Sequence, residues 1–138
     1  MELEYAFLAD RADRLHDDRL VVFGGDIDKA TVSSFPALFR TTLVARLRLH
    51  PEEALEGHVL GLECTSPEGK RLTLAKDVPI TTIRNPDEAA QPSAARILIE
   101  LTVVVGLPGP HLLHIMLDQQ EVKSLRFRVI HVAAQGEA

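Results

Sequence analysis

The sequence predicts an all-β domain: an antiparallel β-sandwich of about eight strands, immunoglobulin-like or related, with a β-barrel as the alternative. Three observations carry this. Apolar and polar residues alternate along most of the chain, which is the period of a half-buried strand. Turn signals built from Gly, Pro, Asn and Asp interrupt the alternation about every ten residues. The strands are unequal in length and Pro79, which cannot donate to a ladder, marks an edge, so an open sandwich fits better than a closed barrel. At 138 residues the chain reads as a single domain, 1–138. A chain of this size buries about two-thirds of its unfolded surface and needs no disulfide or metal to fold.

Taken in order, Leu3, Tyr5, Phe7 and Ala9 alternate with acids to give the first strand. Asp10–Asp18 is dense in charge and reads as a connecting loop. Leu20–Phe23 is a second strand that stops at Gly24-Gly25, and Ala30–Val32 is a short extended piece before the Ser33–Pro36 loop. Phe39–Leu49 is a long strand, with Phe39, Thr41, Leu43, Ala45, Leu47 and Leu49 on one face. Pro51-Glu52-Glu53-Ala54 starts one helical turn with proline at its first position. Val59–Thr65 is a strand with Leu60, Leu62 and Cys64 inward, joined by the Ser66–Gly69 turn to a strand at Arg71–Ala75. Lys76-Asp77 breaks the alternation, and Val78–Ile83 belongs at an edge or bulge. Asn85–Pro92 is a loop. Ala95–Val105 is the most apolar strand, and because Leu98, Thr102 and Val104 back its core face it reads as covered on both sides. The tail, Ala133–Ala138, is small and polar.

The last hairpin organises the chain. Pro108-Gly109-Pro110 is a turn. His111, Leu113, Ile115 and Leu117 then share one face, and Leu112, His114, Met116 and Asp118 the other. After Gln119-Gln120-Glu121, Leu125, Phe127 and Val129 point inward, while Arg126, Arg128 and Ile130 point outward. Two registers are open: a three-residue loop sets Leu113 opposite Phe127, and a longer turn sets His111 opposite His131.

Composition excludes several classes. With 15 basic and 20 acidic residues the net charge is −5, against the basic balance of most nucleic-acid-binding domains. A single cysteine, Cys64, allows no internal disulfide and fits a reducing compartment. The N-terminus carries acids where a signal peptide carries Lys or Arg, and the longest apolar run, Leu101–Leu107, is too short to span a bilayer. The expectation is a cytoplasmic protein that binds neither nucleic acid nor membrane. There is no tryptophan and one tyrosine, so no aromatic platform for sugars or bases is expected.

Three features together resemble a family of uncharacterised bacterial proteins known as a domain of unknown function. They are Glu4-Tyr5-Ala6-Phe7-Leu8-Ala9-Asp10, the Gly24-Gly25 turn with an acid soon after, and the hairpin from Pro108-Gly109 through Asp118 to Phe127-Arg128-Val129. The elements come in the same order over most of the chain. The hairpin is also similar to the end of immunoglobulin-like bacterial modules, P-G-x-Y-x-F…D-G. This chain departs from it at His111, where an aromatic is usual, and at Gln119, where glycine is usual. The resemblance implies a sandwich and no activity, and the second departure argues against a tight glycine turn.

No catalytic, cofactor-binding or metal-binding residue is assigned. Of the six histidines, His111 and His114 fall on opposite faces of a strand and cannot share a metal. His111 and His131 face each other only in one register, without a third ligand. Asp26-x-Asp28 after the glycines lacks the further oxygen ligands of a calcium loop and reads as a turn. Cys64 is an inward packing residue, and no serine has a G-x-S-x-G context. An enzyme would need a cleft gathering Asp26, Asp28 and a histidine. Two outer-face sets remain. Arg40, Arg46 and Arg48 share one strand face and Arg126 and Arg128 another, a stripe for an anion if both strands lie in one sheet; the competing reading pairs them with Glu63, Glu100 and other acids. Leu98, Val104, Leu112, Met116, Ile130 and Val132 back the core faces, covered either by a partner subunit or by a loop of the same chain. The expected function is a non-enzymatic interaction module that contacts a protein partner, itself in a homodimer, without a cofactor. The alternative is a binding domain for an anionic small molecule or acidic peptide. The expected surface is Arg46, Arg48, Leu112, Met116, Arg126, Arg128, Ile130 and Val132.

Overall fold

The computed structural model describes residues 1–81 and 92–133, and there the alternation resolves into two facing sheets. The strands are β1 (Glu2–Arg14), β2 (Leu20–Gly25), β3 (Lys29–Val32), β4 (Ala37–Leu49), β5 (His58–Thr65), β6 (Arg71–Ile80), β7 (Ser93–Val105), β8 (Gly109–Leu117) and β9 (Gln120–His131). One helical turn, α1 (Pro51–Ala54), follows β4. The four-stranded sheet has the order β2-β1-β4-β7, and the five-stranded sheet β3-β9-β8-β5-β6. The fold is all-β and sandwich-like. Every pairing is antiparallel except β3 with β9, which is parallel. No helix among the described residues is long and apolar enough to cross a membrane.

The inward residues of the alternation make the core. Leu43, Leu47 and Leu49 of β4 and Leu101, Val103 and Val105 of β7 face Leu60, Leu62, Leu113, Ile115, Phe127 and Val129 of the other sheet. Phe127 is fully buried, with its ring centroid 5.0 Å from that of Phe39 and 5.1 Å from that of His111. Burial of such a side chain contributes about 1.5–3 kcal/mol. At the β5–β6 edge the expected bulge is present. Leu62 pairs with Ala75 and Leu60 with Val78, so Lys76 and Asp77 together oppose Gly61, and Asp77 takes a φ of 53°. Pro79 lies on that edge strand.

Several expectations are corrected. The charged stretch Asp10–Asp18 is strand as far as Arg14. Arg11, Ala12, Asp13 and Arg14 pair with Phe23, Val22, Val21 and Leu20; Arg11, Asp13, Arg14 and Phe23 are exposed and the other four only half-buried, so no fully buried face imposes an alternation here. Tyr5, Arg46 and Arg96 stand level across β1, β4 and β7. In a flat sheet Arg14 would lie about 30 Å further along. Instead Arg14 Nη2 donates to the Arg96 carbonyl at 2.6 Å, and Asp18 pairs with Arg96 at 3.2 Å. The β1–β2 ribbon therefore bends back across the outer face of the four-stranded sheet, where Val44 is fully buried. β7 is not covered along both sides: Leu98 is half-buried near the ribbon tip, but Val104 is 61% exposed.

The hairpin takes neither expected register. A two-residue turn, Asp118-Gln119, joins β8 to β9 and sets His111 opposite Phe127 and Leu113 opposite Leu125. Both turn residues have positive φ, 49° and 69°, as a type I′ turn requires. The tight turn forms without glycine because tertiary bonds hold it. Asp118 Oδ1 accepts the Val59 N–H at 3.0 Å, and Oδ2 lies 2.7 Å from His58 Nδ1. The loop expected over Asn85–Pro92 lies outside the described residues up to residue 91, as does the tail beyond Ala133.

Candidate interaction surface

The cross-strand register builds the outer face of the five-stranded sheet. Arg126 stands opposite Leu112, and Arg128 stands opposite both Pro110 of β8 and Lys29 of β3. Thr31 stands beside Ile130, and Thr65 beside Leu112. Lys29, Arg126 and Arg128 are exposed, and none has an ion-pair partner among the described residues. Leu112 and Ile130 are half-buried beside them, and Met116, also half-buried, lies toward the turn end of the hairpin, opposite Glu121. A hollow of about 280 Å³ lies against Arg126, lined by Thr65, Ser66, Pro67, Pro110 and Leu112. The parallel β3–β9 pair brings in Lys29, which sequence reasoning missed; alternation carries no information on which strands are neighbours.

The far end of the same face is charge-balanced. Arg71 pairs with Glu63 and reaches Glu121 at 3.2 Å and the Met116 thioether at 3.8 Å. His114, opposite Glu63 and Ser124, is buried, with Nε2 2.7 Å from Thr65 Oγ1. Its Nδ1 lies 2.7 Å from Glu121 Oε1 but outside hydrogen-bonding geometry, so that nitrogen has no bonded partner. Beside this network Gly61, which has no side chain, floors a groove of about 420 Å³ between Met116 and the Lys76-Asp77 bulge.

The expected five-arginine stripe does not exist. β4 and β9 lie in different sheets, so Arg40, Arg46 and Arg48 face away from Arg126 and Arg128. Arg46 pairs with Glu4 at 3.1 Å and Arg48 with Glu2 at 2.8 Å, across the β1–β4 ladder. The acids expected to serve them, Glu63 and Glu100, do not: Glu63 pairs with Arg71. The apolar set divides in the same way. Leu98 and Val104 lie on β7, whereas Leu112, Met116 and Ile130 lie on the five-stranded sheet, with Val132 just past β9 hydrogen-bonded through its N–H to Val32. Of the eight expected surface residues, Leu112, Met116, Arg126, Arg128, Ile130 and Val132 lie along the last hairpin, Met116 at its turn end and Val132 at the other, and Arg46 and Arg48 do not.

Burial pushes the Cys64 thiol up to about 11, which suits a packing residue and not a nucleophile. Asp26 and Asp28 are exposed, and no three potential metal ligands cluster among the described residues. His58 Nδ1 and Nε2 face Asp118 Oδ2 and the Glu53 carbonyl, each at 2.7 Å. Those two bonds, the one to Asp118 first, raise the His58 pKa against the opposing effect of burial. Burial pushes the Asp118 carboxyl up, but the bonds from His58 and Val59 outweigh it and hold it below the usual carboxylate range.

No curated protein matches the chain. Among solved structures, the chain is similar to part of the Pseudomonas fluorescens alkylpurine DNA glycosylase AlkC bound to DNA containing an abasic site analog. The identity is 12% and the TM-score 0.41, over 74% of this chain and 27% of that one. The chain thus spans about a quarter of that protein, and a likeness this low carries no argument about role. The model of DUF6941, a family of unknown function, matches residues 4–130, and the chain belongs to that family.

Proposed function

We propose that the protein is a non-enzymatic interaction module, and that the outer face of β3, β9 and β8 receives an extended acidic segment of a protein partner. One observation carries the reading: Lys29 and Arg128 are direct cross-strand neighbours with Arg126 on the same face, and no carboxylate pairs with them among the described residues. Like charges directly opposite each other destabilise a sheet. The protein as a whole has net charge −5, so this cluster is not a general basic background. Arg126 and Arg128 are two residues apart on one strand, about 7 Å. Alternate side chains of an extended partner repeat at the same spacing, so acids at every second position match both guanidinium groups. Leu112, opposite Arg126, and Ile130, two residues past Arg128, offer apolar contact beside the charges.

The test is a fluorescence titration of the full chain with a labelled glutamate-rich peptide. Binding should weaken as salt rises, because the contacts are exposed ion pairs, and should be lost in Arg126→Glu/Arg128→Glu. Salt-insensitive binding, or an unaffected double variant, would overturn the reading. A second reading rests on the hollow beside Arg126, which suits a small anion. Inorganic phosphate or a short dicarboxylate competing as well as the peptide would favour it. An oligonucleotide that bound more tightly than the peptide would oppose both.

A further inference from the structure

The four-stranded sheet ends in an edge of a different kind from the others. β7 is 13 residues long and pairs with β4 at every position from Ser93 to Val105 without a register shift. Among the described residues no strand pairs with its other side. Open edges are templates for further strands, and proteins shield them by shortening, bulges, proline or inward charge. β3 has four residues, and β6 has the Lys76-Asp77 bulge and Pro79. β7 has no bulge and no proline, its charges Arg96 and Glu100 lie on the outer face, and β6 approaches it through Leu72 and Leu74 at the Thr102–Val104 end, which leaves Ser93–Glu100 as the open part of the edge. Its inward Ile97 and Ile99 are only half-buried, whereas Leu101, Val103 and Val105 further along the same face are buried. The core is thus incomplete along the first half of this edge.

We propose that two copies of this chain join edge to edge, β7 against β7, antiparallel and centred on Leu98. The outward residues select both the partner and the register. They run Ala94, Arg96, Leu98, Glu100, Thr102. An antiparallel pairing centred on Leu98 sets Leu98 opposite its copy, Arg96 opposite Glu100 in both directions, and Ala94 opposite Thr102. Centring on Arg96 or Glu100 sets like charges face to face, and centring on Ile97 or Ile99 sets Leu98 opposite a charge. On the inner face the Leu98 register places Ile97 of each copy opposite Ile99 of the other, which extends the incomplete core. Glu100 is exposed, stands opposite Thr42 in its own sheet, and has no ion-pair partner among the described residues. Arg96 holds Asp18 through Nη1, so its second terminal nitrogen is the one that meets Glu100 of the other copy. The product is one continuous sheet in which each copy contributes four strands.

The experiment is the solution mass of the full chain by light scattering. The wild type is expected at twice the chain mass. Glu100→Lys and Arg96→Glu each set like charges opposite each other twice and should halve the mass. Mixing those two variants places every introduced charge opposite its complement and should restore a one-to-one dimer. Val104→Lys, beyond the paired stretch, should leave the dimer intact. A monomeric wild type, or a dimer unchanged by Glu100→Lys, would overturn the proposal. Should Arg96→Glu unfold through loss of Asp18, Glu100→Lys alone decides. The acidic-peptide reading is separate: Glu100→Lys should leave peptide binding in place, and Arg126→Glu/Arg128→Glu should leave the dimer.

Discussion

The outer faces of the two sheets start from the same pattern, apolar residues and arginines alternating behind a leucine core, and end differently. The four-stranded sheet closes over itself. Its β1–β2 ribbon bends back to Arg96, Val44 becomes fully buried, and Arg46 and Arg48 are neutralised by Glu4 and Glu2. The five-stranded sheet receives no such cover from the described residues. Leu112 and Ile130 stay half-buried, and Lys29, Arg126 and Arg128 have no ion-pair partner among the described residues. The difference teaches where a working surface is to be sought: on the face whose apolar and charged groups the chain does not satisfy internally.

The widest gap between the two faces should appear when a charge is placed on each. Val44→Asp puts a carboxylate at a fully buried position beneath the folded-back ribbon. Desolvation and lost packing should together cost about 3–5 kcal/mol. Leu112→Asp puts the same group at the solvent edge opposite Arg126, and should cost less than about 1 kcal/mol. Urea unfolding of both variants measures this. Equal losses would mean that the five-stranded sheet is covered as well, and that the candidate surface is not a surface.

Most of the fold was legible because alternation reports which side of a strand each residue faces. Leu60, Leu62 and Cys64 inward and Arg126 and Arg128 outward follow from it, and the edge at Pro79 follows from proline's missing ladder donor. Alternation does not report which strands are neighbours. The five-arginine stripe failed on that point alone, since β4 and β9 belong to different sheets. Lys29 went unnoticed for the same reason, its place set by a parallel pairing between segments nearly a hundred residues apart. The Asp118-Gln119 turn was missed because its support is tertiary: His58 and the Val59 N–H stabilise a backbone that local sequence would assign to glycine. The bent ribbon hid behind its charges, because a strand pair with little buried face shows no period.

One joint ties the two regions together, and it responds to pH. α1 follows β4 of the four-stranded sheet, and its Glu53 carbonyl accepts from His58 of β5, which also reaches Asp118 in the β8–β9 turn. Because both ring nitrogens face acceptors, the imidazolium fits, and a neutral ring would turn a lone pair toward one of them. The folded pKa of His58 lies above the ordinary 6.5, so its contribution is fully present below that value and is lost as pH rises through the folded pKa. Asp118 lies below the ordinary 3.8, so its share is present above that value and is lost as pH falls through the folded pKa. Stability should therefore be greatest in the window from 3.8 to 6.5 and decline on the alkaline side. The size should be ~1 kcal/mol, low for a bond to a charged group, because the Asp118 side chain is 44% exposed and screened. Denaturation midpoints measured across that range in wild type and His58→Gln test this; an alkaline decline of equal size in the variant would place its origin elsewhere.

The smallest effects carry the sharpest form of the comparison, because they should differ in sign. Arg48→Ala removes an exposed pair with Glu2 and should destabilise by a few tenths of a kcal/mol. Arg128→Ala removes one of two like charges that face each other across β9 and β3, and should leave stability unchanged or raise it by about the same amount. Raising the salt concentration should shrink both differences, since both arise between solvent-exposed charges. Paired thermal melts at low and high salt suffice to measure them. If Arg128→Ala is destabilising at low salt, an internal carboxylate already satisfies that arginine, and the argument that the face awaits an acidic partner loses its support. If it is stabilising, the wild type retains an unfavourable charge that folding does not require, which is the residue pattern expected where binding, not stability, sets the side chain.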